Sequence, residues 1–264
     1  MTNSWRITAS RAAWPVLTLV CLTLLWEAAV ILFAIDPWML PRPTAVVTIL
    51  WEKRLLFWMH TRQTLFETLA GLTLATVAAS LTATIMLWVP ALKKALYPLI
   101  TLSQTIPMIA LAPLLTVWLG FGWLPKLVVI VLTCYFPIVV SLSDGFAQTD
   151  RQKTNLLLTL GASRRQRFRW LDWPAALPYF FTGLRMAATY AVLAAVVAEW
   201  LGARAGLGVL LTRSAKSFQT AQLFATVVII SLLSLALLGL VNLIAARALR
   251  WQQPVVRSTY QESL

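Results

Sequence analysis

The ionisable residues that could do chemistry in this chain are few, and some of them lie within long apolar segments. Three carboxylates, Glu27, Glu67 and Glu199, fall in such segments, and the single histidine, His60, has no Cys or His partner at metal-ligand spacing. A histidine-based metal site is therefore not expected. A carrier driven by an ion gradient usually clusters ionisable groups deep in its membrane spans, and the sequence shows no such cluster.

Motifs of common catalytic and nucleotide-binding sites are absent from the sequence. It contains no Gly-x-x-x-x-Gly-Lys-Ser/Thr loop to cradle ATP phosphates, no His-Glu-x-x-His helix and no Gly-x-Ser-x-Gly elbow. We therefore expect a chain that is not an enzyme and binds no metal or cofactor itself.

The three carboxylates have different expected roles. Glu67 is expected near a helix end, where capping or snorkelling is the ordinary role. For Glu27 a structural pairing and a functional role both remain open. Glu199, near the outer end of a predicted span, is expected to be a helix-end anchor or part of a polar lining, and we keep it as a candidate for a solute path.

One apolar segment contains two prolines, Pro107 and Pro113, which remove backbone donors and force kinks. Ser103, Gln104 and Thr105 come just before the first of them. Carbonyl groups freed in lipid must be satisfied by neighbours or by a water-lined cavity. The pattern indicates either a packing kink or a broken helix beside a solute path.

A polar, basic stretch covers 144–179. It contains a short apolar helix from Asn155, a break at Gly161 with Ser163 as a capping residue, and a cationic helix stopped at Pro174. Such a helix either lies on anionic lipid or docks another protein, and the residue types alone favour neither.

The elements that position these residues follow from composition. Of the 264 residues 59% are hydrophobic and 12% are charged, and the apolar residues come in long runs bracketed by charges. We predict an all-α, polytopic membrane protein with a single domain, 1–264. The predicted spans are Trp14–Ile35, Thr68–Val89, Leu96–Leu119, Lys126–Ser143, Gly183–Leu201 and Gln222–Ala246.

The net charge of +13 comes mostly from Lys and Arg between or beside the apolar runs. This placement is typical of membrane-protein loops rather than of nucleic-acid binding. The bias of basic residues predicts cytoplasmic N- and C-termini, a cytoplasmic segment 150–178 and outer segments 36–62 and 202–221. A short amphipathic stretch, Val46–Trp58, is expected to lie on the outer face of the bilayer.

Several short motifs occur in order along the chain. Gly161 and Leu171–Pro174 match the second part of a signature that reads Glu-Ala-Ala, three residues, Gly, nine residues, then Ile-x-Leu-Pro, while Asn155-Leu156-Leu157 replaces the Glu-Ala-Ala. The other motifs are Leu40–Pro43, Ile106-Pro107, Ala112-Pro113, Trp118–Gly122, Phe136-Pro137 and Gly206–Gly208. Together they resemble the type I permease subunits of binding-protein-dependent ATP-binding cassette importers. The similarity is to the nitrate, sulfonate and taurine branch, which includes thiamine-precursor and riboflavin-type importers.

This resemblance implies about six transmembrane helices, a core at 60–250 and a cytoplasmic coupling helix within 150–178. It implies ATPase subunits that carry ATP and Mg, a periplasmic or extracellular solute-binding protein, a permease homodimer and a place in the bacterial cytoplasmic (inner) membrane among its lipids. The implied ATPase-docking residues are Asn155, Leu156, Leu157, Gly161, Ala162, Ser163, Arg164, Leu171 and Pro174. The candidate path residues are Ser103, Gln104, Pro107, Pro113 and Glu199.

The implied function is alternating access driven by a partner ATPase, with a sulfonate or taurine, nitrate or a thiamine-precursor pyrimidine as the solute. An ATP-independent secondary transporter or channel is the alternative. A membrane-embedded enzyme is a weaker alternative, because the sequence shows no cluster of carboxylates, histidines or cysteines. An assembly scaffold is also weaker, because it would not need the two-proline span.

Overall fold

The computed structural model describes residues 4–200 and 202–252, and within them the chain is α-helical with no strand. The predicted all-α fold is confirmed. The residues 1–3, Leu201 at the end of the fifth predicted span, and the tail 253–264 lie outside the described residues. The helices are α1 (Ser4–Leu32), α2 (Pro43–Glu52), α3 (Arg54–Trp88), α4 (Pro90–Ser103), α5 (Met108–Leu119), α6 (Trp123–Ala147), α7 (Arg151–Thr159), α8 (Arg164–Arg167), α9 (Trp173–Glu199), α10 (Leu207–Lys216) and α11 (Thr220–Ala248).

Five helical segments in the described part of the chain are long and apolar enough to cross a bilayer. They are α1, α3, α6, the continuous stretch Arg164–Glu199 and α11. A sixth candidate is the pair α4 and α5, which is bent by 101°. The predicted number of spans is therefore reached only when this bent pair is included.

Helix α3 begins much earlier than the predicted span at Thr68. It starts at Arg54, directly after α2, so the stretch Val46–Trp58 is divided between two helices rather than forming one surface element. The helix extends N-terminal to the predicted span. Polar side chains in its first half are buried there, and one of them, Thr64, accepts a hydrogen bond from the N–H of the distant Leu207. Sequence hydropathy carries no signal for such a contact.

The bundle core forms around α6, which packs most extensively against α9 and next against α3. Small side chains make this close approach possible: Ala75, Ala79 and Ala83 of α3 are fully buried, and so are Ala187 and Ala191 of α9. The outer helices α1 and α11 expose long rows of leucine and valine, as helices that face lipid do.

Glu27 of α1 has a structural partner. Its carboxylate accepts hydrogen bonds from the backbone N–H of Thr44 at 3.1 Å and from the Thr44 hydroxyl at 3.0 Å. This contact ties α1 to the first turn of α2. Of the two roles that the sequence left open for Glu27, the structure therefore favours the pairing.

Candidate functional site

Three regions of the bundle carry the predicted site residues. One is the segment 150–178 at the end of the bundle where α6 stops and α9 starts. We call the opposite end, where α6 starts and α9 stops, the distal end. The second region is the break between α4 and α5, and the third is a polar cluster at the distal end.

The first half of segment 150–178 is helix α7, which has no buried residue. Asp150 caps its N-terminus through hydrogen bonds from the N–H groups of Gln152 and Lys153. Three leucines of this region, Leu156, Leu158 and Leu160, are 59%, 53% and 72% exposed. Leu156 and Leu160 are four residues apart and share one side of the helix, whereas Leu158 lies on the other side. Exposed apolar side chains of this kind are available to a partner.

Helix α7 ends at a glycine in the left-handed region. Gly161 has φ +75°, and its N–H and that of Ala162 donate to the carbonyls of Leu158 and Leu157 at 3.0 and 2.9 Å. The next helix then starts with a capping box, in which the side chains of Ser163 and Gln166 each bond the other's backbone N–H. These two caps define a sharp turn that the sequence pattern predicts.

The second half of the segment is fixed to the bundle. Phe168 lies within 5.7 Å of Trp88 and 6.1 Å of Phe146 between ring centroids, so it contacts the ends of both α3 and α6. Arg167 pairs with the buried carboxylate of Asp172 at 3.1 Å. A force applied to α7 would therefore pass into the bundle through a packed aromatic cluster.

The predicted docking residues differ in their exposure to solvent. Asn155, Leu156, Gly161, Ser163 and Arg164 are exposed, whereas Leu157, Ala162, Leu171 and Pro174 are half-buried.

The break between α4 and α5 lies at Gln104–Pro107, where the predicted broken helix occurs. Pro107 precedes the first turn of α5, whereas Pro113 lies inside α5 and does not end it. The hydroxyls of Ser103 and Thr105 donate to the carbonyls of Ile100 and Leu102 at 2.7 and 2.8 Å, which satisfies part of the backbone freed by the break.

A cavity of about 310 Å³ opens beside this break. Of the candidate path residues, Gln104 lines this cavity, and Ser103, Pro107, Pro113 and Glu199 do not. The full lining is Gln104, Ile106, Met108, Thr133, Phe136, Pro137, Met186 and Tyr190. The lining is mainly apolar and aromatic, with an amide and two hydroxyl groups and no charge.

Glu199 is buried at the distal end, where it holds the turn between α9 and α10. Its carboxylate accepts a hydrogen bond from the Thr64 hydroxyl at 2.6 Å and one from the Gly208 N–H at 2.6 Å. The Thr64 oxygen in turn accepts from the Leu207 N–H at 2.8 Å, and His60 Nδ1 lies 3.0 Å from the Gly206 nitrogen. These contacts give Glu199 the anchoring role that was one of its expected roles.

Comparison with known proteins decides the class of this bundle. Residues 71–250 match the protein family described as "Binding-protein-dependent transport system inner membrane component". The chain belongs to this family. It is the membrane-spanning permease subunit of an ATP-binding cassette importer, and the sequence-based assignment is confirmed.

Three relatives illustrate the similarity. The formylaminopyrimidine transport permease protein ThiX of Halalkalibacterium halodurans is 40% identical over 222 residues, which are 84% of this chain and 88% of that protein. A probable ABC transporter permease protein of Haemophilus influenzae is 34% identical over 84% of this chain and 91% of its own length. The riboflavin transport system permease protein RibX of Chloroflexus aurantiacus is 33% identical over 92% of both.

Sequence reasoning missed an ion pair at the distal end of this permease. Lys126, expected at the start of a span in an outer turn, is 7% exposed and pairs with Glu67, which is 3% exposed. Glu67 lies well inside α3 rather than near a helix end, and Gln63 also donates to it at 2.7 Å. The missed signal is that Gln63 and Glu67 share one face of the extended helix α3.

Proposed function

We propose that two copies of this permease form one path and that an ATPase pair docks on the segment 150–178 from the cytoplasm. In this arrangement the N- and C-termini are cytoplasmic and the distal end faces the solute-binding protein outside. The exposure of Leu156, Leu158 and Leu160 is the observation that carries the docking proposal, because nothing in the described part of the permease covers these three side chains.

The departure of this chain from the Glu-Ala-Ala start of the family signature fits these exposed apolar side chains. With Asn155-Leu156-Leu157 in place of the charged start, docking depends on apolar contact more than on a charge. Movement of α7 then reaches α3 and α6 through Phe168, since its ring packs against Trp88 and Phe146.

Replacing Gly161 with valine tests the docking proposal. We expect association with the ATPase to fall at least about tenfold and ATP-driven uptake to fall with it, because left-handed backbone costs a non-glycine residue about 1–2 kcal/mol and a β-branched residue more. The measurement is co-purification of the ATPase from membranes, together with uptake in proteoliposomes.

The matched control is Gly120→Val at the distal end. Gly120 has φ +77° and ψ 177°, a backbone region that is essentially restricted to glycine, and a side-chain carbon attached there, as at Gly161, would meet no heavy atom within 4 Å. The control therefore also strains a glycine-specific backbone position, but away from the docking segment. Gly120→Val should co-purify with the ATPase as the unmodified permease does. Equal losses in both variants, or normal association and uptake in Gly161→Val, would contradict docking at this turn.

We further propose that the solute is a neutral nitrogen heterocycle of the pyrimidine class. The cavity beside the α4–α5 break supports this, because its aromatic and amide lining suits a planar ring with hydrogen-bonding edges. Transfer of a sulfonate or nitrate into an uncharged lining would leave the anion without a partner. The names of ThiX and RibX refer to such ring compounds in those proteins.

Replacing Gln104 with leucine tests this assignment. We expect a several-fold rise in KM for uptake of a 4-aminopyrimidine, since one lost hydrogen bond is worth about 0.5–1.5 kcal/mol. The assay uses the reconstituted permease with its ATPase and solute-binding protein, and taurine and nitrate as competitors. Thr101→Val is the control, because Thr101 is an exposed residue of α4 about one turn before the break and does not line the cavity. If taurine or nitrate inhibits this uptake as strongly as unlabelled aminopyrimidine does, the assignment of the solute to the heterocycle class is contradicted.

A further inference from the structure

A second cavity, of about 380 Å³, lies at the distal end, away from the α4–α5 break. It is enclosed by α3, by the first residues of α6 and by the turn that follows α9. Its polar lining consists of Gln63, Lys126 and Arg204, and two aromatic residues, Phe121 and Trp123, stand beside them. The rest of the lining is the backbone-rich set Gly122, Gly202, Ala203 and Ala205.

Two polar residues of the lining, Lys126 and Gln63, are held by Glu67, which is buried behind them and does not itself line the cavity. The Lys126 ammonium bonds Oε1 of Glu67, and the Gln63 amide donates to the same oxygen. The second carboxylate oxygen, Oε2, is buried and has no hydrogen-bond partner among the described residues. A lysine ammonium carries three donors and the oxygen of the Gln63 amide can accept, so the lining retains both donor and acceptor capacity after the pair has formed.

The wall of the cavity is preformed. Glu199 and His60 fix the Gly206–Gly208 end of the turn on α3, as described above. At the other end Gly202 has φ +79° and lies so close to the Phe121 ring that a side-chain carbon there would overlap it. Residues 203–205 are therefore held between two fixed ends, and the space behind them does not depend on a ligand.

The charge balance argues against an anion as the ligand. Glu67 offsets the charge of Lys126, and Arg204 is exposed at the rim, where solvent screens it. What remains inside is a donor beside an acceptor, flanked by aromatic rings. The edge of an aminopyrimidine offers the complement, since its amino group donates and the neighbouring ring nitrogen accepts.

We propose that the distal cavity is a second solute site, which receives an amino-substituted nitrogen heterocycle before it reaches the cavity beside Gln104. This proposal rests on the proposed function for the orientation and for the class of solute. The ring lies against Trp123, and its donor–acceptor edge meets the Lys126 ammonium and the Gln63 amide oxygen, which Glu67 holds in place. The distal site thus repeats the selection for heterocycles at the outer mouth of the permease.

Protection of an introduced cysteine tests the site. Ala203→Cys places a thiol in the lining, and Ala215→Cys places one on the exposed surface of α10, outside the cavity. The full permease, assembled with its ATPase in lipid nanodiscs, is labelled with a membrane-impermeant maleimide with and without 4-amino-2-methylpyrimidine. We expect the probe to slow labelling at Ala203→Cys several-fold and to leave Ala215→Cys unchanged.

The dependence on the ion pair is tested in the same assay. Glu67→Gln combined with Lys126→Met removes both charges together, so no unpaired charge is buried, and we expect protection at Ala203→Cys to be lost. The distal site would be overturned if Ala203→Cys alone shows no protection, or if protection persists when Glu67→Gln and Lys126→Met are added to it. Protection at a cysteine in place of Thr133, beside Gln104, reports separately on the proposed function. If that protection is present while Ala203→Cys is unprotected, only the distal site fails.

Discussion

Replacing Lys126 with methionine is expected to destabilise the permease by about 3–5 kcal/mol, because it leaves the Glu67 carboxylate buried without its counter-charge. Counting side-chain atoms alone, Lys126 is 8% exposed and Glu67 is 2% exposed, so both side chains are almost fully buried. Glu67 keeps the hydrogen bond from Gln63, but this amide carries no charge. The measurement is the midpoint of thermal unfolding and the monodisperse fraction after extraction from the membrane.

The companion variant separates charge from packing. Adding Glu67→Gln to Lys126→Met removes the carboxylate that would otherwise be stranded, and we expect most of the lost stability to return. Lys216→Met, at the exposed end of α10, is the control for loss of one positive charge and should change stability by less than about 0.5 kcal/mol. If Lys126→Met alone is as stable as the control, the pair contributes nothing to the fold.

The apolar segments predict the existence of the spans, because a helix in lipid must satisfy its backbone internally and must be long enough to cross. They do not predict where a span ends when its helix continues into a protein-covered region. Helix α3 shows this limit: its first residues, 54–62, fall in the predicted outer segment, yet they are helical, and His60 and Thr64 are buried under the turn that precedes α10.

The turn around Gly161 was predictable because its signal is local. A glycine after the last apolar residue and a serine two positions later are the residues that end one helix and cap the next. The break at Pro107 was predictable only as one of two possibilities, a kink or a break, because proline removes a donor wherever it stands and Pro113 lies inside α5 without ending it.

The distal polar cluster was not predictable in this way. Glu67 and Lys126 are separated by 59 positions, and Thr64 and Glu199 by 135, so their pairing depends on how α3, α6 and α9 meet. A single carboxylate in an apolar segment indicates that a partner exists, as Glu27 also does, but the segment itself does not identify that partner.

The close contact of α6 and α9, the most extensive between any two helices in the described part of the chain, depends on a glycine. A side-chain carbon on Gly183 would overlap the carbonyl oxygen of Pro137 and would press on the backbone of Ile138. Backbone atoms cannot rotate away as a side chain can, so the two helices would have to separate. Most of the buried core lies between these helices, and a shift there loosens packing along much of their length.

Gly183→Ala is therefore expected to destabilise the permease by about 1–3 kcal/mol, although alanine is the better helix former. Gly239→Ala in α11 is the matched control, because a side-chain carbon there has no neighbour within 4 Å, and it should leave the protein as stable or slightly more stable. Thermal unfolding of both variants in the same nanodiscs measures the difference. Since Phe168 and the Gln104 cavity both touch this helix pair, ATP-driven uptake should fall in Gly183→Ala and not in Gly239→Ala. Equal stability of the two variants would mean that α6 and α9 do not approach as closely as Gly183 requires.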